Sequence, residues 1–517
     1  MDGKINKIKN MWNNIIWFTP EIFLSVVTVS LLGFGVIYSK LNGEISQQKK
    51  ITWLSILTLV GTLFQVISQY SYISNFGVVY ITDNAIFGID STIISIKIAI
   101  LIGSIAILLL SLSNYTTLNL VYEYTQLILL STLGMLLLIS SKDLISLYLS
   151  IELISLSLYI LASIKRDGQY STEAGIKYFL LGSVASGLLL LGSALIYWLT
   201  GETSFIGISN YIWYEPLVEN NIESIVSLSI AAMFIVVALL FKLAAAPFHV
   251  WAPDVYEGSP TIVTSFFAIV PKIATLGLLV ELLIGPFAPI FKELQPFIII
   301  SALLSIFIGS LGAINQSKIK RLVAYSAIAH MGFMLIGVST GALNGIVATL
   351  IYIVIYMVTS LNTFTFILSL NSPIYISQLA GLSRLNPTLA FTFCLTLFSM
   401  AGIPPLAGFI SKYLILLSAI ENNLYFVATI AIILSVIGSF YYLRLIKWIF
   451  FKDSYDYQYK VLSDIAQGNK LELSINNGIS LINSILLGST LFILITFILF
   501  PNILINLVFT SFTITLL

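Results

Sequence analysis

The chain has 517 residues, of which 58% are apolar and only 9% are charged, and its mean hydropathy is +1.00. Soluble proteins carry about 25% charged residues, so this composition indicates a polytopic membrane protein. A net charge of +1 argues against a nucleic-acid partner. One cysteine, Cys394, and two histidines, His249 and His330, exclude a disulfide framework and argue against zinc, iron–sulfur or haem sites held by this chain alone.

Fourteen segments are long and apolar enough to cross a membrane as helices, since a span needs about 20 apolar residues. The sequence predicts them at 20–38, 52–70, 92–112, 121–140, 143–163, 174–199, 224–247, 261–284, 295–315, 321–339, 343–370, 387–420, 424–450 and 479–508. The expected fold class is therefore an all-α polytopic membrane protein. The longest polar stretch, 452–476, connects the last two spans, and no soluble domain is predicted.

The seventh predicted span contains a charge beside a helix-breaking residue, in the stretch FKLAAAPFHVWAPDVYEGSPT at 241–261. Lys242 lies inside the apolar run, and Pro247 follows while the helix should still be in progress. Proline has no backbone N–H and crowds the carbonyl four residues earlier, so it frees the carbonyl of Leu243 near the lysine. Irregular backbone and charge at membrane depth are tolerated only beside protein or a water-filled cavity, which points to an ion path.

A second interrupted helix is predicted at 387–420, where GIPPLAGF brings in Pro404 and Pro405 shortly before Lys412. In two successive groups of five spans, the fourth member is the interrupted one. Because five is odd, the two groups must have inverted topology, an arrangement that places ion sites at mid-membrane in many transporters. The predicted divisions are a three-helix segment at 1–120, five-helix repeats at 121–284 and 295–450, and a polar connection with a C-terminal helix at 451–517.

Glu152 lies near the middle of its predicted span, in YLSIELISLSLYIL. A lone carboxylate at that depth is costly to ionise, whereas a lysine partner would keep it ionised. Lys242 is the expected partner. Taken alone, this pair is equally well explained as a static ion pair that fixes helix packing.

Further lysines make a purely structural explanation of the whole set unfavourable, since each buried charge is expensive. Lys272 follows Pro271, which should free the carbonyl of Phe267, and Lys177 lies early in IKYFLLGSVASGLLLLG. A buried lysine can alternate between ammonium and neutral amine near physiological pH. The set Glu152, Lys177, Lys242, Lys272 and Lys412 therefore predicts a route for protons.

His330, in VAYSAIAHMGFMLIG, could pass a proton between the two breaks because imidazole both donates and accepts. A core histidine bonded to a neighbouring hydroxyl explains the same residue equally well. Lys97 and Glu281 lie close enough to predicted helix ends to reach the membrane interface, so we interpret them as interfacial side chains without a functional role. Gly182 and Gly187 are interpreted as close-packing positions between helices.

Five stretches of this sequence resemble a known family: LGMLLLISSKDLISLYLSIELISLSLYIL, IKYFLLGSVASG, FKLAAAPFHVWAPDVYEGSPT, IKRLVAYSAIAHMGFMLIG and GIPPLAGFISKYLIL. The chain resembles the antiporter-like membrane subunits of respiratory NADH:ubiquinone oxidoreductase (complex I), a family related to Mrp-type cation/proton antiporters. Lysine at the twelfth-helix position fits the subunit 2 group of that family. The resemblance covers most of 130–415.

The resemblance implies fourteen helices with inverted five-helix repeats. It also implies that the family's proton-translocating glutamate, lysines and histidine correspond to Glu152, Lys177, Lys242, Lys272, His330 and Lys412. This chain would then hold no cofactor, while NADH, FMN, iron–sulfur clusters and ubiquinone would be used in other subunits. Its partners would be other membrane-arm subunits, lipids and protons.

The expected function is proton translocation as part of an NADH:ubiquinone reductase, a translocase whose redox chemistry takes place outside this chain. A mitochondrial inner membrane is the expected location, because heavy use of Ile, Asn, Tyr, Phe and Lys fits an AT-rich organelle genome. A bacterial plasma membrane or a thylakoid membrane are the alternatives. The rival functions are a stand-alone cation/proton antiporter, the related subunit of a plastid or cyanobacterial plastoquinone-reducing complex, and an assembly scaffold with static charges.

Overall fold

The computed structural model describes residues 17–39, 44–76, 80–81, 86–113, 122–214, 222–370, 372–452, 479–502, 505–506 and 508–510. The lysine-bearing N-terminal residues 1–16 and nearly all of the predicted polar connection 452–476 lie outside these residues. Within the described chain the structure is almost entirely helical, because backbone polar groups in a membrane must be satisfied within each segment. A pair of two-residue antiparallel strands, β1 (Tyr80–Ile81) and β2 (Gly88–Ile89), is the exception.

The helices are numbered in chain order. The first group comprises α1 (Thr19–Ser39), α2 (Glu44–Phe76), α3 (Ser91–Ser113), α4 (Glu123–Ser140), α5 (Leu144–Ala162), α6 (Gln169–Thr200), α7 (Phe205–Tyr214), α8 (Ile222–Leu243), α9 (Trp251–Gly258) and α10 (Thr261–Ile284). The second comprises α11 (Phe291–Ile314), α12 (Ile319–Ser339), α13 (Leu343–Ser369), a 3₁₀ turn (Ile376–Leu379), α14 (Leu382–Leu385), α15 (Pro387–Ala401), α16 (Ala407–Glu421), α17 (Tyr425–Phe451) and α18 (Leu481–Thr496).

Twelve helices in the described chain are long and apolar enough to cross a membrane. Two shorter apolar helices, Pro387–Ala401 and Leu481–Thr496, fall at the twelfth and fourteenth predicted spans. The all-α polytopic class is confirmed, whereas the count of fourteen spans stays a prediction. Both predicted interruptions are present, since α8 ends at Leu243 and the segment 387–420 is divided between α15 and α16.

Two compact units make up the chain. One contains Met1–Leu243, Val270–Pro296 and Leu504–Leu517, and the other contains Ala244–Ile269 and Phe297–Ile503. The predicted divisions at 1–120, 121–284, 295–450 and 451–517 stay predictions.

An ion pair is buried inside the first unit, between α1 and α3. The Lys97 ammonium lies 2.5 Å from the Glu21 carboxylate, and the two side chains are 0% and 4% exposed. The interpretation of Lys97 as an interfacial side chain is therefore wrong. A buried charge of this kind needs its partner, because the desolvation penalty of each ion is several kcal/mol, on the order of the pair's own attraction.

In the second unit, the short helix α9 is tied to the start of α12 by opposite charges. Arg321 donates to Asp254 at 2.8 Å and lies 3.3 Å from Glu257. Lys318 also pairs with Glu257, and Lys320 donates to the carbonyl of Ser259 at 2.8 Å. These contacts join the DVYEGSP and IKRL motifs and fix the helix that follows the first break.

Replacing Lys97 by methionine should destabilise the first unit, because it leaves Glu21 buried without its counter-charge. We expect a loss of about 3–5 kcal/mol in the free energy of unfolding, measured as a lower thermal unfolding midpoint of the detergent-solubilised protein and less chain retained in membranes. The double variant Glu21→Gln/Lys97→Met, which removes both charges, should recover most of the loss. Equal damage in the single and double variants would contradict the pair's role.

Candidate functional site

The first helix break is stabilised by protein groups. After α8 ends, Ala244 adopts a left-handed backbone conformation with φ of 59°. The backbone N–H of Ala246 then donates to the Ser305 hydroxyl at 2.8 Å, inside the second unit. A buried backbone donor that has left its helix is costly unless it finds such an acceptor. The irregular segment 244–250 is thus supported at the point where the lysine-bearing helix stops.

Lys242 occupies the last turn of α8 and is partly buried. Its ammonium donates to the Tyr159 hydroxyl at 3.3 Å and lies 5.5 Å from the centre of that ring. No ion pair joins Lys242 to Glu152, its predicted partner, among the described residues. A cation near the C-terminal end of a helix is also favoured by the helix dipole.

Glu152 lies on α5 on the same face as Ser155 and Tyr159, at spacings of three and seven residues. Its Oε2 accepts a long hydrogen bond of 3.4 Å from the Ser155 hydroxyl. Its Oε1 is buried without a hydrogen-bond partner. The carboxylate therefore has an unsatisfied oxygen beside a hydroxyl-bearing helix face.

Tyr159, which the sequence analysis passed over, is held in a tight aromatic pocket within the first unit. Its ring packs edge-on against Tyr178, with centroids 4.8 Å apart, and against Phe179 at 5.7 Å. A Cβ at Gly182 would overlap the Tyr159 hydroxyl, so the predicted close-packing role of Gly182 is confirmed. The same interpretation of Gly187 is wrong, since a Cβ there would meet nothing within 4 Å.

Lys272 lies on α10 directly after Pro271 and is 1% exposed. The helix continues through the proline from Thr261 to Ile284, so the expected disruption is local. Thr275 donates its hydroxyl to the carbonyl of Pro271, four residues earlier, at 2.9 Å, a bond that threonine commonly makes within a helix. Lys272 is thus a fully enclosed lysine on a helix that contains a proline.

The second break holds Lys412 by its freed carbonyls, entirely within the second unit. Helix α15 ends at Ala401, and Gly402 caps it in a left-handed conformation with φ of 85°. The Lys412 ammonium donates to the carbonyls of Met400 at 3.0 Å and Ala401 at 2.8 Å. The last carbonyls of a helix have no partner within the helix and carry its negative partial charge, so they stabilise an ammonium.

His330 shares a small cavity with Lys412. The volume open to the centre of a water molecule is about 10 Å³, close to what one water needs, and Tyr352, Tyr356 and Ser411 also line it. Both imidazole nitrogens are engaged: Nδ1 lies 2.8 Å from the Tyr352 hydroxyl and Nε2 lies 3.0 Å from the Tyr442 hydroxyl. These contacts match the interpretation of His330 as a core histidine bonded to neighbouring hydroxyls, and its role in proton transfer stays a prediction.

Lys177 is not brought together with these buried groups. It forms an ion pair of 2.7 Å with Glu173 one turn away on α6, and both side chains are substantially exposed, at 43% and 57%. An exposed i,i+4 pair contributes little free energy. A proton-transfer role for Lys177 stays a prediction that this geometry does not favour.

A further charge cluster, missed from the sequence, surrounds Lys142 in the first unit. The ammonium lies 2.9 Å from Asp90 and 2.7 Å from Glu281, an ion pair that the interfacial interpretation of Glu281 did not include. Burial alone would lower the pKa of Lys142, but the two carboxylates outweigh burial and raise that pKa above its usual value. The lysine is held charged in the short connection between α4 and α5.

A family model described as "NADH:quinone oxidoreductase/Mrp antiporter, TM" matches residues 141–438, which is more than half of the chain. The chain belongs to this family. The matched range includes Glu152, Lys242, Lys272, His330 and Lys412.

Relatives of known name agree with this assignment. NADH-quinone oxidoreductase subunit N of Parvibaculum lavamentivorans is 40% identical over 84% of this chain and 87% of its own length. NADH-ubiquinone oxidoreductase chain 2 of Marchantia polymorpha is 39% identical over 84% and 88%. Subunit N of Paramagnetospirillum magneticum is 45% identical, over 57% of this chain and 61% of its own length.

Solved structures place the fold in the same group. A chain of respiratory complex I from Thermus thermophilus matches with a TM-score of 0.74 and 27% identity, over 94% of this chain and 99% of that chain. A chain of the Mrp complex from Dietzia sp. DQ12-45-1b matches with a TM-score of 0.78 over 95% and 96%, but at 19% identity this likeness shows the fold alone. Within the described part of this family member, no cluster of three or more His, Cys, Asp or Glu side chains is arranged to hold a metal.

Replacing Gly182 by alanine should displace Tyr159, because the added Cβ would overlap the phenol oxygen that contacts Lys242. We expect a loss of about 1–3 kcal/mol in stability, typical of overpacking, read as a lower dissociation temperature of the solubilised assembly. Gly187→Ala is the matched control on the same helix, since its Cβ would meet nothing. Similar temperatures for the two variants would contradict the packing shown for Gly182.

Proposed function

We propose that this chain is a proton-translocating membrane-arm subunit of an NADH:quinone oxidoreductase. The observation that carries the proposal is the cavity, with room for about one water molecule, that is lined by both Lys412 at a helix break and His330. The oxidation of NADH and the reduction of quinone are assigned to other subunits, together with FMN, iron–sulfur clusters and ubiquinone. The relatives named as subunits of NADH-quinone and NADH-ubiquinone oxidoreductases support membership of such an enzyme.

Lys412 can bind a proton because two carbonyls at the break accept hydrogen bonds from its ammonium. It can lose that proton to a water molecule in the cavity that it lines. While it is an ammonium, Met400 and Ala401 accept its hydrogen bonds. A water molecule in the cavity would let it pass one proton towards His330. Imidazole can accept a proton at one nitrogen and release one at the other, and both nitrogens of His330 already contact hydroxyls.

The first unit supplies the charges that would drive such transfer. Glu152 lies on the same helix as Tyr159, which contacts Lys242, and Lys272 is a further buried lysine in this unit. Two unit charges about 8 Å apart interact by roughly 2 kcal/mol at an effective dielectric constant of about 20. This energy is similar to moving one charge through about 90 mV. A direct ion pair is therefore not required for Glu152 to control the charge on Lys242.

The chain is a multi-pass membrane protein, and its fold match to a complex I chain implies other membrane subunits as partners. The identity of the subunits that cover its outward-facing helices belongs to the proposal and is drawn from the family. The mitochondrial inner membrane stays a prediction, because relatives of similar identity include bacterial subunits, for which a plasma membrane is expected. The named relatives at 39–45% identity favour a complex I subunit over a stand-alone antiporter.

Lys412→Ala should lower proton pumping without preventing assembly, because it removes the carrier and leaves Met400 and Ala401 to cavity water. We expect NADH oxidation coupled to quinone reduction to fall roughly tenfold or more, consistent with loss of one charged hydrogen-bonding group. The measurement is NADH turnover and proton uptake in sealed membrane vesicles, normalised to the amount of assembled complex. Lys292→Ala, which removes an exposed lysine from α11, is the control and should retain normal rates.

Native electrophoresis of mildly solubilised membranes distinguishes a complex I subunit from a stand-alone antiporter or an assembly scaffold. It is carried out on membranes that contain the unaltered chain or the Lys412→Ala and Lys292→Ala variants. Co-migration of the chain with one very large, NADH-oxidising band is expected. Migration as a small species without that activity would instead support the stand-alone antiporter. Less assembled complex with normal turnover per complex would support the scaffold.

A further inference from the structure

The imidazole of His330 is held from both sides by tyrosine hydroxyls within the second unit. Nδ1 lies 2.8 Å from the Tyr352 hydroxyl on α13, and Nε2 lies 3.0 Å from the Tyr442 hydroxyl on α17. The side chains of His330, Tyr352 and Tyr442 are all buried. A ring nitrogen offers either one lone pair or one N–H in the plane of the ring, so each nitrogen has a hydroxyl partner for that position.

Other aromatic rings hold these two tyrosines in place. Phe333 stacks on Tyr352, with ring centroids 6.4 Å apart and planes 11° from parallel. Tyr441 packs against Tyr442, with centroids 4.2 Å apart. Such packing restricts the rotation of a phenol ring in a close-packed interior. The two hydroxyls are therefore fixed at the two nitrogens of His330, and the imidazole cannot turn over without losing both hydrogen bonds.

The two sides of the imidazole differ in their access to water. Among the described residues, Tyr352 lines the cavity that Lys412 and His330 also line, whereas Tyr442 is not one of its lining residues. A proton that comes from Lys412 through cavity water thus reaches the ring on the Nδ1 side. His330 can take it there only in the tautomer whose own proton is on Nε2, because Nδ1 must then be bare.

The tautomer of a histidine is set by the hydrogen bond that its other nitrogen makes. A proton on Nε2 needs an acceptor in a buried site, and the Tyr442 oxygen is 3.0 Å away. A histidine held in the wrong tautomer loses most of its activity as a base even where its position is unchanged. The group that decides whether Nδ1 can accept is therefore on the far side of the ring from the cavity.

We propose that Tyr442 is a positioning residue that accepts a hydrogen bond from Nε2–H and so keeps Nδ1 of His330 bare for a proton from the cavity. This inference rests on the proposed function. In the transfer, the Lys412 ammonium gives a proton to the cavity water, the water gives one to the Tyr352 oxygen, and the phenol proton passes to Nδ1. Lys412 becomes a neutral amine and His330 an imidazolium, while the water and the phenol are restored.

The hydrogen bond to Tyr442 serves the product of this transfer as well. Imidazolium has two N–H groups and needs two acceptors, and the oxygens of Tyr352 and Tyr442 are both in place to accept. A carboxylate at the position of Tyr442 would favour the cation and oppose release of the proton, whereas a hydroxyl is neutral. The ring can therefore change its charge without changing its orientation.

The test is NADH turnover and protons pumped per NADH in sealed vesicles, normalised to the amount of assembled complex. Tyr442→Phe keeps the ring and removes the acceptor at a site outside the cavity, so kcat should fall roughly tenfold. Tyr352→Phe should lower kcat only roughly twofold to threefold, because cavity water can take the place of its oxygen. KM for NADH and for quinone should be unchanged, since both substrates are assigned to other subunits.

A second copy of the test, made in a chain that carries His330→Ala, separates positioning from structure. If Tyr442 acts through His330, Tyr442→Phe should cause no further loss of kcat in that chain, because residues that act as a unit are not additive. An equal loss with and without His330 would overturn the inference. So would a larger loss for Tyr352→Phe than for Tyr442→Phe.

The matched control is Tyr425→Phe, the same chemical change at an exposed position of α17. It should retain normal kcat, and equal kcat in Tyr425→Phe and Tyr442→Phe would contradict the role of Tyr442. Lys412→Ala, measured beside these variants, tests the proposed function itself. If Lys412→Ala lowers pumping while Tyr442→Phe does not, only the positioning role is wrong. If neither variant changes pumping per NADH, the proposed function fails as well.

Discussion

Every polar group that enters the hydrocarbon region must be satisfied by the protein itself, and this constraint determines where the charges of this chain lie. The two interrupted helices are the places where backbone carbonyls and N–H groups leave their regular pairing. At the second break, the Lys412 ammonium takes up two such carbonyls. At the first, the Ser305 hydroxyl accepts from the freed Ala246 N–H. At the second break, the freed carbonyls hold a lysine without any carboxylate partner in the described part of the chain.

The buried lysines differ in how they are held. Lys97 lies against the carboxylate of Glu21 at 2.5 Å with both side chains almost completely enclosed, an arrangement suited to fixed helix packing. The partner of Lys242 is a tyrosine hydroxyl, and the partners of Lys412 are backbone carbonyls. These neutral groups bind an ammonium less strongly than a carboxylate would, so loss of the lysine's proton costs less free energy beside them. The chemistry of the partners thus distinguishes Lys97, which has a carboxylate partner, from Lys242 and Lys412, which have neutral partners.

Much of this architecture could be predicted from the sequence, because a helix that crosses a membrane needs a long run of apolar residues. The predicted span 261–284 coincides with α10, and 424–450 differs from α17 by one residue at each end. The span 224–247 was predicted four residues too long at its end, since α8 stops at Leu243, four residues before Pro247, where the proline ring would otherwise crowd a helical carbonyl. The lysines at the breaks were also predictable, because the prolines mark them.

Side-chain partners could not be predicted in the same way. A helix that is apolar on every side has no pattern that shows which face points inward, so Lys97 could not be matched to Glu21, 76 residues away. The spacing of Glu152, Ser155 and Tyr159 on one face was visible, yet the contact between Tyr159 and Lys242 depends on the rotation of two separate helices. For the same reason Lys177 was grouped with the buried lysines although it lies on an exposed face of α6.

The central claim is that the charges at mid-membrane change protonation during turnover and do not merely stabilise packing. Its most direct test is the number of protons pumped per NADH oxidised by an assembled complex carrying Glu152→Gln, a change that keeps size and removes the charge. The account predicts that assembly stays normal while pumping and coupled NADH turnover fall sharply. Normal pumping per NADH in a fully assembled complex would contradict it.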